Sequence, residues 1–439
     1  MGMVTIEYHN NPEEIRISKS LKNEYGIVQH RIILKIGNWS KEYLVKMDDE
    51  LAENNIGIPV DITKTLTIPS EVPFEVDLTG RTLRLGPVIG FVAYSHKKHL
   101  SPKRLERMKG RFSSYSEIGG LIFIFAAKEI DAEKKVIHGY YYNPNGDKVN
   151  TRWIAGTFPY PDVVYKRHPI DTDRYNDLIA QIGDKVINSY YFCKGEINEY
   201  SLVDNELAKY FPYTESISDV EQVEKFIDQY GSVYVKPRDG AGGQGIFHMT
   251  KNEQELLVVT NRNREKTVLN NKDDLQLFLR KLMNKKYIIQ QSVSISRENQ
   301  NVDFRIYAQK NHLKEWVCQG MIGRVSKKNT IITNLKYVEK LLSGEEAIRF
   351  LFEGTAEEVN MMKQKIYTTC IDLCKTLDKT IGNYGDVAID CIIDDHFNIW
   401  ILEVNKLYGY DSLIKMKNRQ LVKTLRTTPF HYAKSLAGF

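Results

Sequence analysis

The chain has 439 residues, of which 42% are hydrophobic, and a formal net charge of +5 at pH 7. These values indicate a globular protein of two or three domains with proper cores. Residues 1–80 carry 8 Lys and Arg against 13 Asp and Glu, so the positive charge lies in the rest of the chain. That mildly basic remainder suits anionic ligands such as nucleotides, but no stretch is basic enough to indicate a nucleic-acid partner.

The cysteines and the N-terminus bear on the cellular compartment. The five cysteines are Cys193, Cys318, Cys370, Cys374 and Cys391. Their number is odd and their spacing matches no C-x-x-C or Cys/His zinc motif, so we expect reduced thiols in the cytoplasm. Cys370 and Cys374 are four residues apart on a predicted helix, which favours core packing over metal binding. No signal peptide or membrane-spanning run is present, so no membrane partner is expected.

Residues 1–84 consist of short segments in which apolar and polar residues alternate, separated by polar turns. This period is typical of strands with one buried face. We expect a small antiparallel β-rich N-terminal domain. Its acidic surface is either simply solvated or a docking face for a partner.

An apolar run that begins at Leu85 marks a second domain, expected over residues 85–190. Ser101, followed by a proline, predicts the start of a helix over residues 101–115. A strand is predicted next at residues 121–126. The order strand, helix, strand predicts a parallel α/β layer.

A further buried strand is predicted just before Arg167. Arg167 either faces a ligand or has a structural partner, and the sequence leaves both alternatives open. Amphipathic patterns predict helices over residues 172–182, 220–230 and 356–377.

Residues 191–439 are expected to form a third domain, with a nucleotide flap at residues 232–250. A β-branched run leads to Lys236 and then to a glycine-rich loop. The loop residues are Gly240, Gly242, Gly243, Gln244 and Gly245. Glycines let several backbone N–H groups converge on one anion, because no side chain blocks its approach and positive φ costs little. This loop therefore predicts a phosphate site, to which Lys236 adds a positive charge.

The loop also fits G-x-G-x-x-G, a pattern found in dinucleotide folds, in kinase glycine loops and in ordinary glycine-rich hairpins. A dinucleotide fold needs a helix next, whereas residues 246–250 predict a second strand. The sequence contains no H-R-D or D-F-G tripeptide for a kinase, and no Gly-Lys pair for a Walker A loop. The pattern favours a flap over a nucleoside triphosphate.

Two apolar strands joined by a polar turn predict a hairpin at residues 385–405. Asp390, Glu403 and Asn405 can share one face of it, because side chains two residues apart point to the same side of a strand. Oxygen donors of this kind suit Mg²⁺, which also takes phosphate oxygens and water. The alternative, a solvent-facing acidic hairpin, fits poorly with strands this apolar.

Lys236 with its glycine loop, Arg305, and the array of Asp390 and Glu403-Val404-Asn405 follow in an order that resembles the ATP-grasp superfamily. Shorter phrases resemble its YheC/YheD-type branch of endospore coat-associated proteins. These phrases lie at residues 85–90, 158–167 and 211–214. The resemblance implies an α/β (α+β) protein: an ATP-grasp fold preceded by an α/β pre-ATP-grasp domain and the small β-domain.

The resemblance also implies an activity: an ADP-forming ligase that joins a carboxylate substrate to an amine acceptor through an acyl-phosphate. The implied acceptor is an amino acid, a peptide or a protein tail, and the implied cofactors are ATP and one or two Mg²⁺ ions. By similarity, the metal ligands are Asp390, Glu403 and Asn405, the catalytic residues are Arg305, Arg324 and Asn334, and further nucleotide contacts are Lys236, Gln290, Gln291 and Val293. The last three are expected on an edge strand that offers backbone groups to the adenine.

Two other functions stay open: a spore-coat structural or assembly protein with little turnover, and a small-molecule kinase. The branch also implies a spore association, with coat proteins as partners. Three departures separate the chain from related ligases, the first being that Lys336-Tyr337 follows the Asn334-Leu335 pair where relatives tend to carry Gly-Gly. Lys406-Leu407-Tyr408-Gly409 follows the Glu-x-Asn triplet where many have Pro-Gly, and no phosphate-binding lysine is evident before Pro212.

Overall fold

The computed structural model describes residues 2–192, 196, 197, 199, 204–238, 243–282, 286–293, 296, 297, 300–328, 330 and 337–439. The strands in these ranges form a closed barrel and three six-stranded sheets, accompanied by helices, as expected for an α+β protein. None of the helices in this part of the chain has both the length and the apolar character that a bilayer crossing requires.

The N-terminal barrel has the strand order β1-β5-β2-β4-β3-β7-β6. Its strands are β1 (Met3–His9), β2 (Glu14–Ile17), β3 (Arg31–Ile36), β4 (Trp39–Met47), β5 (Asn55–Pro59), β6 (Phe74–Thr79) and β7 (Thr82–Gly86). The expectation of a purely antiparallel domain is wrong, because β1–β5, β2–β4 and β3–β7 pair in parallel. Side chains alternate in both kinds of pairing, so periodicity does not reveal the direction of a partner strand.

The second sheet has the order β11-β10-β9-β8-β12-β13. Its strands are β8 (Val88–Tyr94), β9 (Leu121–Asp131), β10 (Val136–Tyr142), β11 (Trp153–Pro159), β12 (Val163–Lys166) and β13 (Val186–Ile187). The predicted parallel layer is confirmed, since β8 runs parallel to both β9 and β12, and β12 runs parallel to β13. The strands β10 and β11 extend it as an antiparallel hairpin.

The α-helices within the described residues match the predictions only in part, because several, including the C-terminal helix, were not predicted from the sequence. They are Lys19–Tyr25, Pro102–Met108, Tyr115–Ile118, Val149–Arg152, Thr172–Ile182, Asn205–Ala208, Val220–Tyr230, Lys272–Leu282, Gly344–Phe352, Ala356–Thr380, Asp411–Lys415 and Arg419–Ala437. The helices predicted at 172–182 and 220–230 are confirmed at both ends. The α-helix predicted to reach residue 115 ends at Met108. A 3₁₀ turn, Lys109–Phe112, follows it directly. Gly110 lies in that turn, and glycine is a poor helix former.

The third sheet is antiparallel throughout, with the order β14-β19-β15-β16-β17-β18. Its strands are β14 (Thr214–Ser216), β15 (Ser232–Pro237), β16 (Phe247–Lys251), β17 (Leu257–Asn261), β18 (Lys266–Leu269) and β19 (Tyr287–Gln291). On one face, Val233, Val235 and Met249 are completely buried in a core that includes the helices 220–230 and 272–282. The side chains between them in sequence therefore point to the opposite face.

The fourth sheet has the order β23-β22-β21-β24-β25, with β20 paired to β21. Its strands are β20 (Ser296–Arg297), β21 (Gln300–Lys310), β22 (Trp316–Ser326), β23 (Val338–Ser343), β24 (Asp386–Ile393) and β25 (Ile399–Asn405). The hairpin predicted at 385–405 is confirmed as β24 and β25. Phe304 and Ile306 are buried on the face covered by the helices 344–352 and 356–380, together with Cys370 and Cys374, whose predicted core packing is confirmed.

The second and fourth sheets meet at a buried ion pair. Arg167 Nη1 donates to Asp386 Oδ2 at 2.8 Å, and Arg167 Nη2 donates to the carbonyl oxygen of Tyr408 at 2.7 Å. The Asp386 side chain is 0% exposed. Of the two alternatives for Arg167, the structure shows the structural partner: this residue joins the end of β12 to β24.

Candidate active site

A row of polar side chains crosses the third sheet on the face opposite its helices. Thr214, Gln290, Tyr234 and His248 are successive cross-strand neighbours on β14, β19, β15 and β16. Lys236 lies on the same face as Tyr234, because side chains two positions apart on a strand point to the same side. The third sheet thus has an apolar face packed on helices and a polar face that carries the predicted nucleotide lysine.

Lys236 is held on this face by a chain of hydrogen bonds. Its Nζ donates to Gln290 Oε1 at 2.6 Å, and Gln290 Nε2 donates to Thr214 Oγ1 at 2.8 Å. Gln290 is only 4% exposed. This arrangement fixes the position of the ammonium group at the end of β15, where the glycine loop begins.

The expected edge position of residues 290–293 is wrong. Strand β19 lies between β14 and β15, so Gln290 is paired on both sides. Gln291 donates its N–H to the carbonyl oxygen of Tyr213 at 2.9 Å, and Val293 follows the last paired residues. The short strand β14, at residues 214–216, occupies the edge and was not singled out from the sequence because three residues carry little periodicity.

The glycine loop joins β15 to β16, which confirms the strand that was expected after it and excludes the dinucleotide arrangement. Gly240 and Gly242 lie outside the described residues. Gly243 and Gly245 have φ of 71° and 72°, a backbone conformation that favours glycine. A Cβ atom at Gly245 would also approach the hydroxyl oxygen of Tyr287 to 2.6 Å. Both reasons require glycine at 245.

His248 is the titratable group of this face that the sequence reasoning missed. Its ring centroid lies 4.8 Å from that of Tyr234, and its Nε2 lies 3.4 Å from Ser292 Oγ. Burial lowers the pKa of His248 to about 4. The imidazole is therefore neutral at physiological pH, and a protonated ring is disfavoured on this face.

The pH dependence of stability should reveal this histidine. Because its folded pKa lies below the unfolded value of about 6.5, stability is fully present above pH 6.5 and is lost as the pH falls towards 4. Between pH 7 and pH 5, we expect the melting temperature of the wild type to fall by roughly 4 °C more than that of His248→Phe. His396→Phe, in the exposed turn before β25, is the control and should behave as the wild type. An equal fall in melting temperature between pH 7 and pH 5 in His248→Phe and the wild type would contradict a buried neutral His248.

A second cluster, of acids and arginines, lies on the fourth sheet. Arg305 Nε and Nη2 donate to the two carboxylate oxygens of Asp390, each at 2.7 Å. Arg324 donates in the same bidentate way to Asp303, at 2.6 Å for both bonds, and approaches Asp390 Oδ2 to 3.0 Å. The register explains the cluster, because Asp303 is opposite Arg324 and Arg305 is opposite Asp390.

These arginines control the charge of Asp390. Burial alone would raise the pKa of this carboxyl group, but the guanidinium groups of Arg324 and Arg305 outweigh burial and hold its pKa far below the usual range. Asp390 is consequently ionised at every physiological pH. Asp303 was not predicted as a site residue, although its position two residues before Arg305 on the same strand is a signal that sequence reasoning could have used.

Glu403 and Asn405 complete the cluster on β25. Glu403 is the cross-strand partner of Asp390, and Asn405 Nδ2 donates to Asp390 Oδ2 at 3.5 Å. Three carboxylates, Asp303, Asp390 and Glu403, lie on this part of the sheet with the guanidinium groups of Arg305 and Arg324. The predicted ligands Asp390, Glu403 and Asn405 therefore lie together as a set of oxygen-bearing side chains.

The donors of this set are of the types that a hard cation takes, and both oxygens of Asp390 already accept from Arg305. Within the described ranges, no group of three His, Cys, Asp or Glu side chains is arranged for a metal, and the set here contains two carboxylates and one amide. Mg²⁺ is usually bound by up to two carboxylates of the protein, while phosphate oxygens and water supply its other ligands. The predicted catalytic residue Asn334 lies outside the described residues.

Hydrogen bonds among the described residues connect the segments around the third and fourth sheets. The N–H of Ile401, on β25, donates to the carbonyl oxygen of Tyr210 at 2.6 Å, four residues before β14 begins. Tyr337 Oη, just before β23, donates to Asn263 Oδ1 at 3.2 Å, in the turn between β17 and β18. On the fourth sheet, the predicted site residues share their face with Tyr307, which packs against the helices 411–415 and 419–437.

Comparison with known proteins identifies the family. The family model described as "YheC/D like ATP-grasp" matches residues 183–436. The endospore coat-associated protein YheD of Bacillus subtilis (strain 168) is 25% identical over 405 residues, which cover 88% of this chain and 86% of YheD. YheC of the same organism is 22% identical over 285 residues, which cover 62% of this chain and 77% of YheC.

Among solved structures, D-alanyl-alanine synthetase A from Vibrio cholerae O1 biovar eltor str. N16961 is 9% identical with a TM-score of 0.42, and the match covers 76% of this chain and 98% of that protein. The family model matches more than half of the chain and includes both polar faces, from Thr214 to Asn405. This chain belongs to the YheC/D-like ATP-grasp family.

Proposed function

We propose that this protein is an ATP- and Mg²⁺-dependent ligase that joins a carboxylate to an amine. The observation that carries the proposal is the cluster of Arg305, Arg324, Asp390, Glu403 and Asn405, on the face of the fourth sheet opposite the helices 344–352 and 356–380. Arginines and oxygen donors in one place are what the transfer of a phosphoryl group requires, because negative charge builds up on the oxygens during transfer.

The proposed reaction has two steps. A carboxylate oxygen of the substrate attacks the γ-phosphorus of ATP, the bond to the β-phosphate oxygen breaks, and ADP leaves. The amine then attacks the acyl-phosphate carbon, inorganic phosphate leaves, and the amine loses a proton to water. The product is an amide bond.

The chain's residues have separate roles in this scheme. Lys236 binds the nucleotide phosphates beneath the glycine loop, and its hydrogen bond to Gln290 orients it. Asp390, Glu403 and Asn405 would hold Mg²⁺, which would supply positive charge to offset that of the phosphates. Arg305 and Arg324 donate hydrogen bonds to the transferring phosphoryl group.

The amine acceptor is proposed to be an amino acid, a peptide or a protein tail. Two relatives are named endospore coat-associated proteins, which makes coat proteins the first acceptors to try. Purified protein, ATP, Mg²⁺ and pooled amino acids or coat peptides should yield ADP and phosphate. Hydroxylamine in place of the acceptor should trap the acyl-phosphate as a hydroxamate. AMP with pyrophosphate would contradict the acyl-phosphate route, and nucleotide-induced stabilisation without turnover would instead support a coat-assembly role.

Replacement of the nucleotide lysine tests the other polar face. We expect Lys236→Met to weaken ADP binding about tenfold to a hundredfold, because the loss of one charge-assisted hydrogen bond usually lowers affinity by this factor. The measurement is isothermal titration calorimetry with ADP and Mg²⁺. Lys266→Met removes the same charge from an exposed position on β18 and should leave affinity unchanged. Equal ADP affinity of Lys236→Met and wild type would show that the nucleotide binds elsewhere.

A further inference from the structure

A group of arginines surrounds Tyr410, in the segment that follows the Glu403–Asn405 triplet. The Cζ atoms of Arg111 and Arg426 lie 5.6 Å and 5.2 Å from the centre of the Tyr410 ring. Arg167 lies 5.3 Å from the ring of Tyr408. We call Arg111, Arg426 and Tyr410 the arginine cluster. Its members come from the 3₁₀ turn 109–112, from the C-terminal helix and from the loop after β25, so the tertiary structure brings them together.

The arginine cluster has no acidic partner in the part of the chain that the structure describes. The nearby acid Asp386 already accepts from Arg167 Nη1 and from the hydroxyl groups of Tyr165 and Tyr408. Within the ranges that the structure describes, no acidic side chain pairs with Arg111 or Arg426. Burial lowers the pKa of Arg426. The neighbouring Tyr410 partly opposes this shift, whereas Arg111 lowers the pKa of Arg426 further. Two cations close together in a partly buried place are unfavourable unless an anion joins them.

Three hydrogen-bond donors in this region are also unused. Arg111 Nη1, Tyr410 Oη and Tyr307 Oη are buried and have no hydrogen-bond partner. Arg111 is 7% exposed, Tyr410 8% and Tyr307 0%. A buried polar group without a partner costs about 1–3 kcal/mol, so such groups in native proteins need an explanation. All three can donate, and a ligand that only accepts, such as an anion, would satisfy them.

The arginine cluster adjoins the proposed reaction centre. Tyr307 follows Arg305 by two residues on β21 and so points to the same face of the sheet. The Tyr307 ring centre lies 5.4 Å from that of Tyr408, which lies 5.7 Å from that of Tyr410. The aromatic residues 307, 408 and 410 therefore form a continuous path from the charged cluster of the fourth sheet to Arg111 and Arg426.

We propose that Arg111, Arg426 and Tyr410 form an anion subsite that holds a second negatively charged group of the substrate, a carboxylate or a phosphate, while the reacting carboxylate lies near Arg305. The substrate is then a compound with two anionic groups. Its identification as the ligase substrate rests on the proposed function, whereas anion binding at the arginine cluster does not.

Binding of small dianions tests the subsite. The probes are succinate, glutarate and adipate with two carboxylates, phosphonoacetate with a carboxylate and a phosphonate, and butyrate with one carboxylate. Affinity is measured by calorimetry at constant ionic strength and without nucleotide. We expect at least one dianion to bind the wild type ten times more tightly than butyrate, because a charge-assisted hydrogen bond contributes about a factor of ten or more. The preferred probe distinguishes a carboxylate from a phosphate as the second group.

Matched variants locate the binding. Arg426→Gln should lower the affinity for the preferred dianion about tenfold, whereas Lys423→Gln, which removes an exposed charge from the same helix, should not. Tyr410→Phe deletes only the unpartnered hydroxyl group and should lower the affinity about threefold to tenfold without lowering the melting temperature.

Three results would overturn the subsite: no dianion that binds more tightly than butyrate, equal losses in Arg426→Gln and Lys423→Gln, or unchanged affinity in Tyr410→Phe. Failure of the proposed function has a different signature. Dianion binding would then still depend on Arg426 and Tyr410, but the protein would form no ADP from ATP with any of the probes.

Discussion

Glu403→Gln should abolish ATP-dependent turnover, lowering kcat by about a hundredfold or more. The substitution keeps the shape of the side chain and removes its charge, so the oxygen set with Asp390 and Asn405 loses one of its two carboxylates. Loss of one group that stabilises charge in the transition state costs about 100–1,000-fold. Turnover is measured as ADP release, with circular dichroism as a check that the variant is folded.

A second measurement on Glu403→Gln does not depend on turnover. The additional thermal stabilisation that Mg²⁺ gives to the ADP-bound wild type should disappear in the variant. Asp395→Asn is the matched control, because it removes a carboxylate from the exposed turn of the same hairpin, where its side chain is 75% exposed. Retention of the Mg²⁺ effect in Glu403→Gln would exclude this residue as a metal ligand.

Asp390→Asn should have a different consequence: a loss of about 3–5 kcal/mol in the free energy of unfolding, in the absence of any ligand. Asp390 accepts two bonds from Arg305 and one contact at 3.0 Å from Arg324. An amide at this position neutralises the charge and turns N–H groups towards the guanidinium groups. Breaking a buried ion pair costs this much because it leaves an unpaired buried charge.

Urea denaturation followed by circular dichroism measures this loss. Asp395→Asn, on the exposed turn, should stay within about 0.5 kcal/mol of the wild type. A loss below about 1 kcal/mol in Asp390→Asn would mean that Arg305 and Arg324 do not depend on this carboxylate. Asp390 would then be a candidate metal ligand without a structural role.

Much of the ATP-grasp domain could be predicted from the sequence because its elements have strong local signals. The alternation of Val233 and Val235 with Tyr234 and Lys236 indicates a strand with one apolar and one polar face, and the structure has these faces. The Glu403-Val404-Asn405 triplet likewise places two polar side chains on one face of a strand whose middle residue is buried. Helices with regular amphipathic patterns were predicted to within a few residues.

The errors have a common origin. Residues 290 and 291 were expected at a sheet edge, but the three-residue strand β14 pairs outside them. The barrel was expected to be antiparallel, but three of its strand pairs are parallel. Strand periodicity reports which face of a strand is buried and contains no information on which strand lies beside it, or in which direction.

By itself, the sequence determined the apolar and polar faces of the strands, the glycine loop and the spacing of Glu403 and Asn405, because each depends on residues close together in the chain. Only the tertiary structure decided that Arg167 pairs with Asp386, that two arginines share Asp390, and that Arg111 meets Tyr410. These partners are separated in the chain by 66 residues, for Arg324 and Asp390, to 299 residues, for Arg111 and Tyr410. Contacts between residues so distant are set by how the sheets and helices pack, which local patterns do not encode.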